Sequence, residues 1–179
     1  SYFMLKKTII FLTIFILLGC IQQQSQSQPQ AFSETVYFCP EDHCAEQLIE
    51  RLDLAKESID IAIYSFTLDE IADSLIRAKE RGVSVRVLFD ASQASGKYSE
   101  DERLTENAVP VKVYDKSSGI MHNKFAVIDS KLVGTGSFNY SQNANKFNDE
   151  NLIFLDLPST VQSYKLEFEE LWDSSWFFR

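Results

Sequence analysis

Residues Ile120–Asn139 read IMHNKFAVIDSKLVGTGSFN and contain two short β-rich segments. The segments Lys124–Ile128 and Leu132–Gly136 have the length and apolar content of strands, and Asp129-Ser130-Lys131 between them is typical of a tight turn. Polar residues crowd the open end of this hairpin, beginning with His122 just before the first strand. The sequence therefore predicts a hairpin that brings a histidine, a lysine and small hydrogen-bonding side chains together.

The chain before the hairpin alternates between strand and helix patterns. Apolar, β-branched runs predict strands at Thr35–Phe38, Ile59–Tyr64, Val83–Phe89 and Val111–Tyr114. Amphipathic spacing predicts helices at Cys44–Lys56, from Leu68 to Gly82, at Glu100–Asn107 and from Ser159 onward, with a further strand at Asn151–Leu155. Such alternation indicates βαβ units. We predict an α/β fold in which a mixed, largely parallel sheet carries helices on both faces.

Two local patterns add detail to this expected fold. Thr67 and Glu70 have the spacing of a capping box and predict that Thr67 caps the second helix. The aromatic residues Trp176, Phe177 and Phe178 at the C-terminus are expected to pack against the core.

The N-terminus has the organisation of a secretory signal. Lys6 and Lys7 precede the apolar run Thr8–Leu18, which is shorter than the roughly 20 residues that a membrane span requires. The run ends in Leu17-Leu18-Gly19-Cys20, which looks like a bacterial lipobox, where cleavage leaves the cysteine lipidated. We predict a signal at 1–20 with lipidation at Cys20, a flexible Gln- and Ser-rich tether at 21–33 and a folded domain at 34–179.

Lipidation at Cys20 predicts an exported, membrane-anchored lipoprotein that faces the periplasm or the cell exterior. The alternative is an uncleaved N-terminal anchor, which leads to the same side of the membrane.

The composition is that of an ordered globular protein with an acidic surface. The chain is 45% hydrophobic and 24% charged, and its net charge of −9 becomes more negative when the signal is removed. An acidic body repels nucleic acid at long range, so a polyanionic substrate requires a local basic patch. Five lysines are candidates for that patch: Lys97, Lys112, Lys116, Lys131 and Lys146.

Cysteine and histidine usage limits the available chemistry. Cys39 and Cys44 form a pair in a chain expected to be exported, and a disulfide is the favoured interpretation. A zinc site is the alternative, but Cys39, His43 and Cys44 supply three ligands where four are needed. His43 and His122 are the two histidines of the chain, and His43 is expected to be a solvated residue at a helix start.

The hairpin carries the pattern H-x-K-x4-D-x6-G-S-x-N, matched at His122, Lys124, Asp129, Gly136, Ser137 and Asn139. This pattern is the signature of the phospholipase D superfamily, which the chain resembles from Val36 to Trp172. The segments Ala62–Thr67 and Asn148–Asn151 are similar to the small bacterial nuclease branch with one motif per chain. Members of that branch form homodimers that pool two motifs in one site.

The resemblance implies roles for the matched residues. His122 is expected to form a phosphohistidine, and His122 of a second copy to protonate the leaving oxygen. Lys124, Ser137 and Asn139 are expected to hold the non-bridging oxygens. Glu150 resembles the acid that orients the histidine, whereas Asp129 is expected to be structural. No metal or other cofactor is expected, because lysines take the place of a divalent cation.

Three functions are compatible with these observations. The first is a metal-independent phosphodiesterase, an endonuclease that hydrolyses DNA or RNA. The second is a phospholipase D that the lipid anchor holds against membrane phospholipid, and the third is an inactive, lipid-anchored binding module. The scarcity of histidines also predicts a homodimer, because one imidazole cannot attack the phosphorus and protonate the opposite side in one step.

Overall fold

The computed structural model describes residues 32–94, 96–116 and 118–177. The predicted signal, the lipidation site Cys20 and the tether up to residue 31 lie outside these ranges. No helix in the described ranges is long and apolar enough to cross a membrane.

The described residues form one eight-stranded sheet with the order β1-β7-β6-β5-β2-β3-β4-β8. The strands are β1 Glu34–Cys39, β2 Ser58–Ile63, β3 Ser84–Asp90, β4 Val111–Tyr114, β5 Lys124–Ile128, β6 Leu132–Gly136, β7 Glu150–Leu155 and β8 Trp176–Phe177.

The predicted mixed α/β class is confirmed, but the parallel share of the sheet is smaller than predicted. The β2–β3 and β3–β4 pairs are parallel. The other five neighbouring pairs are antiparallel. In the last third of the chain a three-residue turn reverses the direction between β5 and β6, and β7 pairs antiparallel with β6.

Five helices cover both faces of the sheet in the described ranges. They are α1 Cys44–Leu54, α2 Asp69–Glu80, α3 Asp101–Glu106, α4 Gln142–Lys146 and α5 Pro158–Asp173. The larger apolar core packs between the sheet and the α1 and α2 side, and a smaller core packs beneath α5. Central strand β2 shows the alternation: Ile59, Ile61 and Ile63 enter the larger core, and Ala62 enters the smaller one.

A partly buried network of ion pairs links the sheet to α5. Arg86 of β3 donates to Asp60 of β2 at 2.7 Å and to Glu169 of α5 at 2.7 Å. The same guanidinium lies 4.8 Å from the ring centroid of Phe168. Charge and stacking therefore fix α5 across the central strands.

The predicted capping box is wrong, because α2 begins two residues after Thr67. Leu68 is the residue before α2, and no side chain there caps the helix. Thr67 instead donates its backbone N–H to the carbonyl of Tyr140 at 2.8 Å. Thr67 is therefore held by a tertiary contact and does not cap the helix.

The C-terminal aromatic residues pack against the core in part, because the ring centroid of Phe177 lies 6.0 Å from that of Trp172 in the smaller core. Trp176 and Phe177 form the short edge strand β8 and remain 52% and 59% exposed. Phe178 lies outside the described residues.

Cys39 and Cys44 are joined by a disulfide, with their Cα atoms 5.6 Å apart. The bridge ties the end of β1 to the first residue of α1. His43 lies exposed between them with a left-handed backbone (φ 53°).

Candidate functional site

Strand direction brings the matched residues to one edge of the sheet. Because β5, β6 and β7 are antiparallel neighbours, the start of β5, the end of β6 and the start of β7 meet at the same edge. His122 precedes β5, Ser137 follows β6 and Glu150 opens β7. The fold therefore assembles three of the predicted site residues from separate strand ends.

His122 is exposed, and its backbone is held on two sides. Its ring centroid lies 4.5 Å from that of Tyr64, the residue that follows β2. Its carbonyl accepts a hydrogen bond from Lys124 Nζ at 2.9 Å. The preceding Met121 is buried and donates its N–H to Asp90 Oδ2 at 2.7 Å. The imidazole is therefore accessible to a substrate while its loop stays fixed.

Lys124 is a buried cation at the base of this edge, with 8% of the residue exposed. Burial lowers the pKa of Lys124, and the charge of Glu150 opposes that shift in part. Its ammonium lies 5.1 Å from the ring centroid of Tyr64. Within the described ranges no carboxylate lies within 4.0 Å of it. Its charge therefore remains available to an anion, in a setting of low dielectric where it acts strongly.

Ser137 and Glu150 form a hydrogen-bonded pair beside Lys124. Ser137 Oγ donates to Glu150 Oε2 and accepts from the backbone N–H of Asn151 at 3.1 Å. Glu150 also accepts from Asn148 Nδ2 at 3.1 Å. Among the described residues, no hydrogen bond joins Glu150 to the imidazole of His122, so the expected orienting contact is not formed in this structure.

Gly136 permits the close approach that places Ser137. A Cβ at this position would lie 2.2 Å from the backbone oxygen of Asn151, and φ is 150°. That oxygen accepts the N–H groups of Ser137 and Phe138 at 3.1 and 3.3 Å. Only glycine fits here without moving β7.

Asn139 lies between two buried aromatic residues, Phe138 and Tyr140. Its Oδ1 atom is buried and has no hydrogen-bond partner among the described residues. Leaving a buried acceptor unpaired costs about 1–3 kcal/mol, and such groups concentrate at functional sites.

Asp129 lies at the opposite end of β5 from Lys124. Its carboxylate accepts the backbone N–H groups of Lys56, Glu57 and Ser58 at 2.7–3.1 Å. Burial raises the pKa of Asp129, but these hydrogen bonds outweigh it, and the net pKa lies below its ordinary value. The structure therefore separates Asp129 from the other matched residues and gives it a contact with the start of β2.

Two residues of this edge were not predicted from the sequence. Tyr64 packs against both His122 and Lys124, and Asp90 fixes the loop that carries His122. A polar residue at the end of a buried strand was the available signal, since Tyr64 follows β2 and Asp90 is the last residue of β3.

The candidate lysines do not form one patch. Lys131 pairs with Glu57 at the Asp129 end of the sheet, and Lys112 donates to the carbonyl of Trp172 beneath α5. No group of three or more His, Cys, Asp or Glu side chains in the described ranges is arranged to hold a metal ion.

Comparison with known proteins places this geometry in a family. Residues 48–172 match the family described as cardiolipin synthase, PLD-like domain. A phospholipase D of Rickettsia conorii is 39% identical over 127 residues, which cover 71% of this chain and 63% of that protein. A mitochondrial cardiolipin hydrolase of Chlamydomonas reinhardtii is 32% identical over 143 residues, which cover 75% of this chain and 64% of that protein. The chain thus spans less than two thirds of the length of either relative.

A solved structure gives a more complete overlap. The phospholipase D family member Nuc from Salmonella typhimurium superposes with a TM-score of 0.78 at 28% identity. The overlap covers 83% of this chain and 99% of Nuc. The motif, the sheet and these matches agree, and the chain belongs to the phospholipase D superfamily.

Proposed function

We propose that this protein is a metal-independent phosphodiesterase, an endonuclease that hydrolyses DNA or RNA through a phosphohistidine intermediate. The observation that carries the proposal is an accessible imidazole, His122, fixed beside the buried cation Lys124. The similarity of Ala62–Thr67 and Asn148–Asn151 to the single-motif bacterial nuclease branch supports the choice of nucleic acid. The Ser137–Glu150 pair completes a polar edge that suits a phosphate.

The reaction has two displacement steps. A nitrogen of His122 attacks the phosphorus, and the bond from phosphorus to the leaving oxygen breaks as that oxygen takes a proton from a second imidazole. Water then attacks the phosphohistidine and gives a proton back to the second imidazole, which releases a phosphate monoester and restores His122. Lys124 stabilises the charge on the non-bridging oxygens in both steps.

The second imidazole comes, in this proposal, from His122 of another copy in a homodimer. His43 is the other histidine of the chain, and its loop follows Cys39, which pairs with Glu150 at the same sheet edge. His43→Ala therefore tests the alternative source of the proton: the proposal expects kcat to stay within about threefold, whereas a loss of about 100-fold or more would assign the acid to His43.

A mixing experiment tests the dimer. After exchange of equal amounts of wild type and His122→Ala, random pairing leaves about one quarter of the dimers fully wild type. Activity at about half of that expected from the wild-type protein alone supports the shared site. Activity equal to that of the wild-type protein alone would indicate a site complete in one copy.

One assay separates the substrates and tests the metal requirement. The full-length chain is incubated in EDTA with plasmid DNA, single-stranded DNA, RNA and phosphatidylcholine vesicles. Nucleic acid cleavage that EDTA leaves unchanged is the expected result, and cleavage abolished by EDTA would overturn the metal-free mechanism. Hydrolysis of the vesicles alone would favour phospholipase D, as the names of the curated relatives suggest.

We also propose that a lipid on Cys20 anchors the domain on the outer side of a membrane. The basic residues, short apolar run and Leu-Leu-Gly-Cys ending support this location. Incorporation of labelled palmitate that Cys20→Ala abolishes is expected, and equal labelling of both chains would contradict the proposal.

A further inference from the structure

A cavity of about 480 Å³ opens among the loop after β3, the segment after β2 and the start of α4. The loop after β3 supplies Lys97 and Tyr98 to its rim, the segment after β2 supplies Thr67, and the first residue of α4 is Gln142. Its volume falls in the range of small-molecule binding sites. None of the residues assigned to the phosphodiesterase chemistry lines it, so the proposed reaction gives the cavity no function.

The cavity is connected to the site through short contacts. The loop that carries Lys97 and Tyr98 also carries Gln93, whose amide nitrogen donates to the hydroxyl of Tyr64 at 3.2 Å. Tyr64 in turn packs against His122. On the other side, Gln142 follows Asn139 by three residues, which limits their separation to roughly 11 Å. The loop and the helix that line the cavity are therefore joined through short contacts to residues of the candidate site.

An exposed aromatic ring and a cation stand together at the rim. Tyr98 is 69% exposed, the highest value among the exposed tyrosines and tryptophans of the described ranges. The ammonium of Lys97 lies 4.9 Å from the centroid of its ring. An exposed ring beside a cation is the arrangement by which proteins stack the bases of single strands and hold their phosphates.

The floor of the cavity carries charged side chains. Glu100 is buried, and its carboxylate is 3.3 Å from Arg103, which also pairs with Asp73. Asp69 lines the same floor, and Arg103 is thus surrounded by carboxylates. Lys97 remains as the cation at the rim with no ion-pair partner among the described residues. Such a floor offers hydrogen-bonding groups to the edge of a base.

We propose that this cavity binds a nucleobase of a single-stranded substrate, stacked on Tyr98, with Lys97 on the adjoining phosphate. The proposal rests on the nuclease function proposed above and adds a position at which the base, and not only the phosphodiester, is recognised. The exposed ring of Tyr98 with the ammonium of Lys97 beside it favours a nucleic acid over a phospholipid as the occupant.

The test compares oligonucleotides that have bases with oligonucleotides that are abasic at every position, using the full-length chain. Tyr98→Ala is expected to raise KM about tenfold for the base-containing strand, since a stacked base contributes at that level. The abasic strand, which cannot stack, should show less than a twofold change. Tyr98→Phe keeps the ring and should behave as wild type.

The matched control is Leu54→Ala, which trims an equally exposed side chain beside Asp129 at the opposite end of the sheet. It should change neither KM. The inference is overturned if Tyr98→Ala leaves KM for the base-containing strand unchanged, or raises KM equally for both strands.

Failure of the nuclease function looks different. A wild-type chain that hydrolyses phosphatidylcholine vesicles and no oligonucleotide overturns both proposals. If Tyr98→Ala raises KM for vesicles instead, the cavity takes a lipid headgroup, and the nucleobase assignment is wrong. If the wild-type chain cleaves oligonucleotides and Tyr98→Ala has the same KM, only the cavity assignment is overturned.

Discussion

Asp129 belongs to the signature of the superfamily, yet its position predicts a loss of stability rather than of catalysis when it is replaced. The carboxylate accepts three backbone N–H groups at the start of β2, and its φ of 52° is left-handed. Each of these hydrogen bonds contributes about 1 kcal/mol at a partly exposed site. Alanine would also adopt the left-handed backbone at a cost of about 1 kcal/mol. Asp129→Ala should therefore lower the free energy of unfolding by about 4 kcal/mol.

Asp129→Asn separates charge from geometry. Asparagine tolerates the left-handed backbone and keeps one acceptor oxygen, so we expect a loss of about 1–2 kcal/mol. Because the pKa of Asp129 is lowered by folding, its stabilisation is present above the ordinary value of 3.8 and is lost as the pH falls through the folded value. The difference between wild type and Asp129→Asn should therefore shrink below pH 3.8.

Urea unfolding, monitored by tryptophan fluorescence, measures the free energy of unfolding. The rate of hydrolysis of bis(p-nitrophenyl) phosphate per folded molecule measures kcat. We expect kcat to stay within about threefold for Asp129→Asn, because its carboxylate lies at the far end of β5. Asp115→Asn, at an exposed aspartate, is the control and should change stability by less than about 0.5 kcal/mol. Unchanged stability with a loss of kcat of about 100-fold or more would refute the reasoning.

Three further predictions concern the site and the cavity. Lys124→Met should lower kcat about 1,000-fold with little loss of thermal stability, whereas Lys56→Met, at an exposed lysine, should leave kcat unchanged. Gly136→Ala should destabilise the fold by about 3 kcal/mol or more in thermal unfolding, whereas Gly82→Ala, also at positive φ but with open space around it, should cost about 1 kcal/mol. Burial and a hydrogen bond with a neighbouring carboxylate raise the pKa of Glu100 from 4.5 to about 7. The stabilisation by Glu100 is therefore complete below pH 4.5 and is lost as the pH rises through 7. In urea unfolding, the stability of the wild type relative to Glu100→Gln should fall by about 3 kcal/mol between pH 4 and 8.

Strands bounded by clear local signals were predicted well. The bounds of β4, β5 and β6 agree with the structure residue for residue, because each is a short apolar run that polar, proline or turn residues close on both sides. The helix α4 and the strand β8 were missed. Each is too short to show a period, and β8 forms through its pairing with β4 rather than through its own sequence.

The site could be predicted only as far as the motif reaches. His122, Lys124, Ser137 and Asn139 share one hairpin, so their grouping follows from local geometry. Asp90 acts on this hairpin through a hydrogen bond to Met121, 31 residues away. Contacts at such a separation depend on the register of the whole sheet, which one sequence does not reveal.

The register of β5 against β2 explains why the superfamily signature includes a residue at each end of β5. Lys124 lies opposite Ile63 at one end, and the N–H of Asp129 donates to the carbonyl of Ser58 at the other. The two residues are about 17 Å apart along an extended strand, so they cannot act on the same phosphate. A one-residue slip would turn every side chain of β5 to the opposite face and move Lys124 away from Tyr64. By binding the start of β2, Asp129 opposes that slip. The fixed spacing between Lys124 and Asp129 therefore sets the register of β5, and that register keeps the ammonium of Lys124 beside His122.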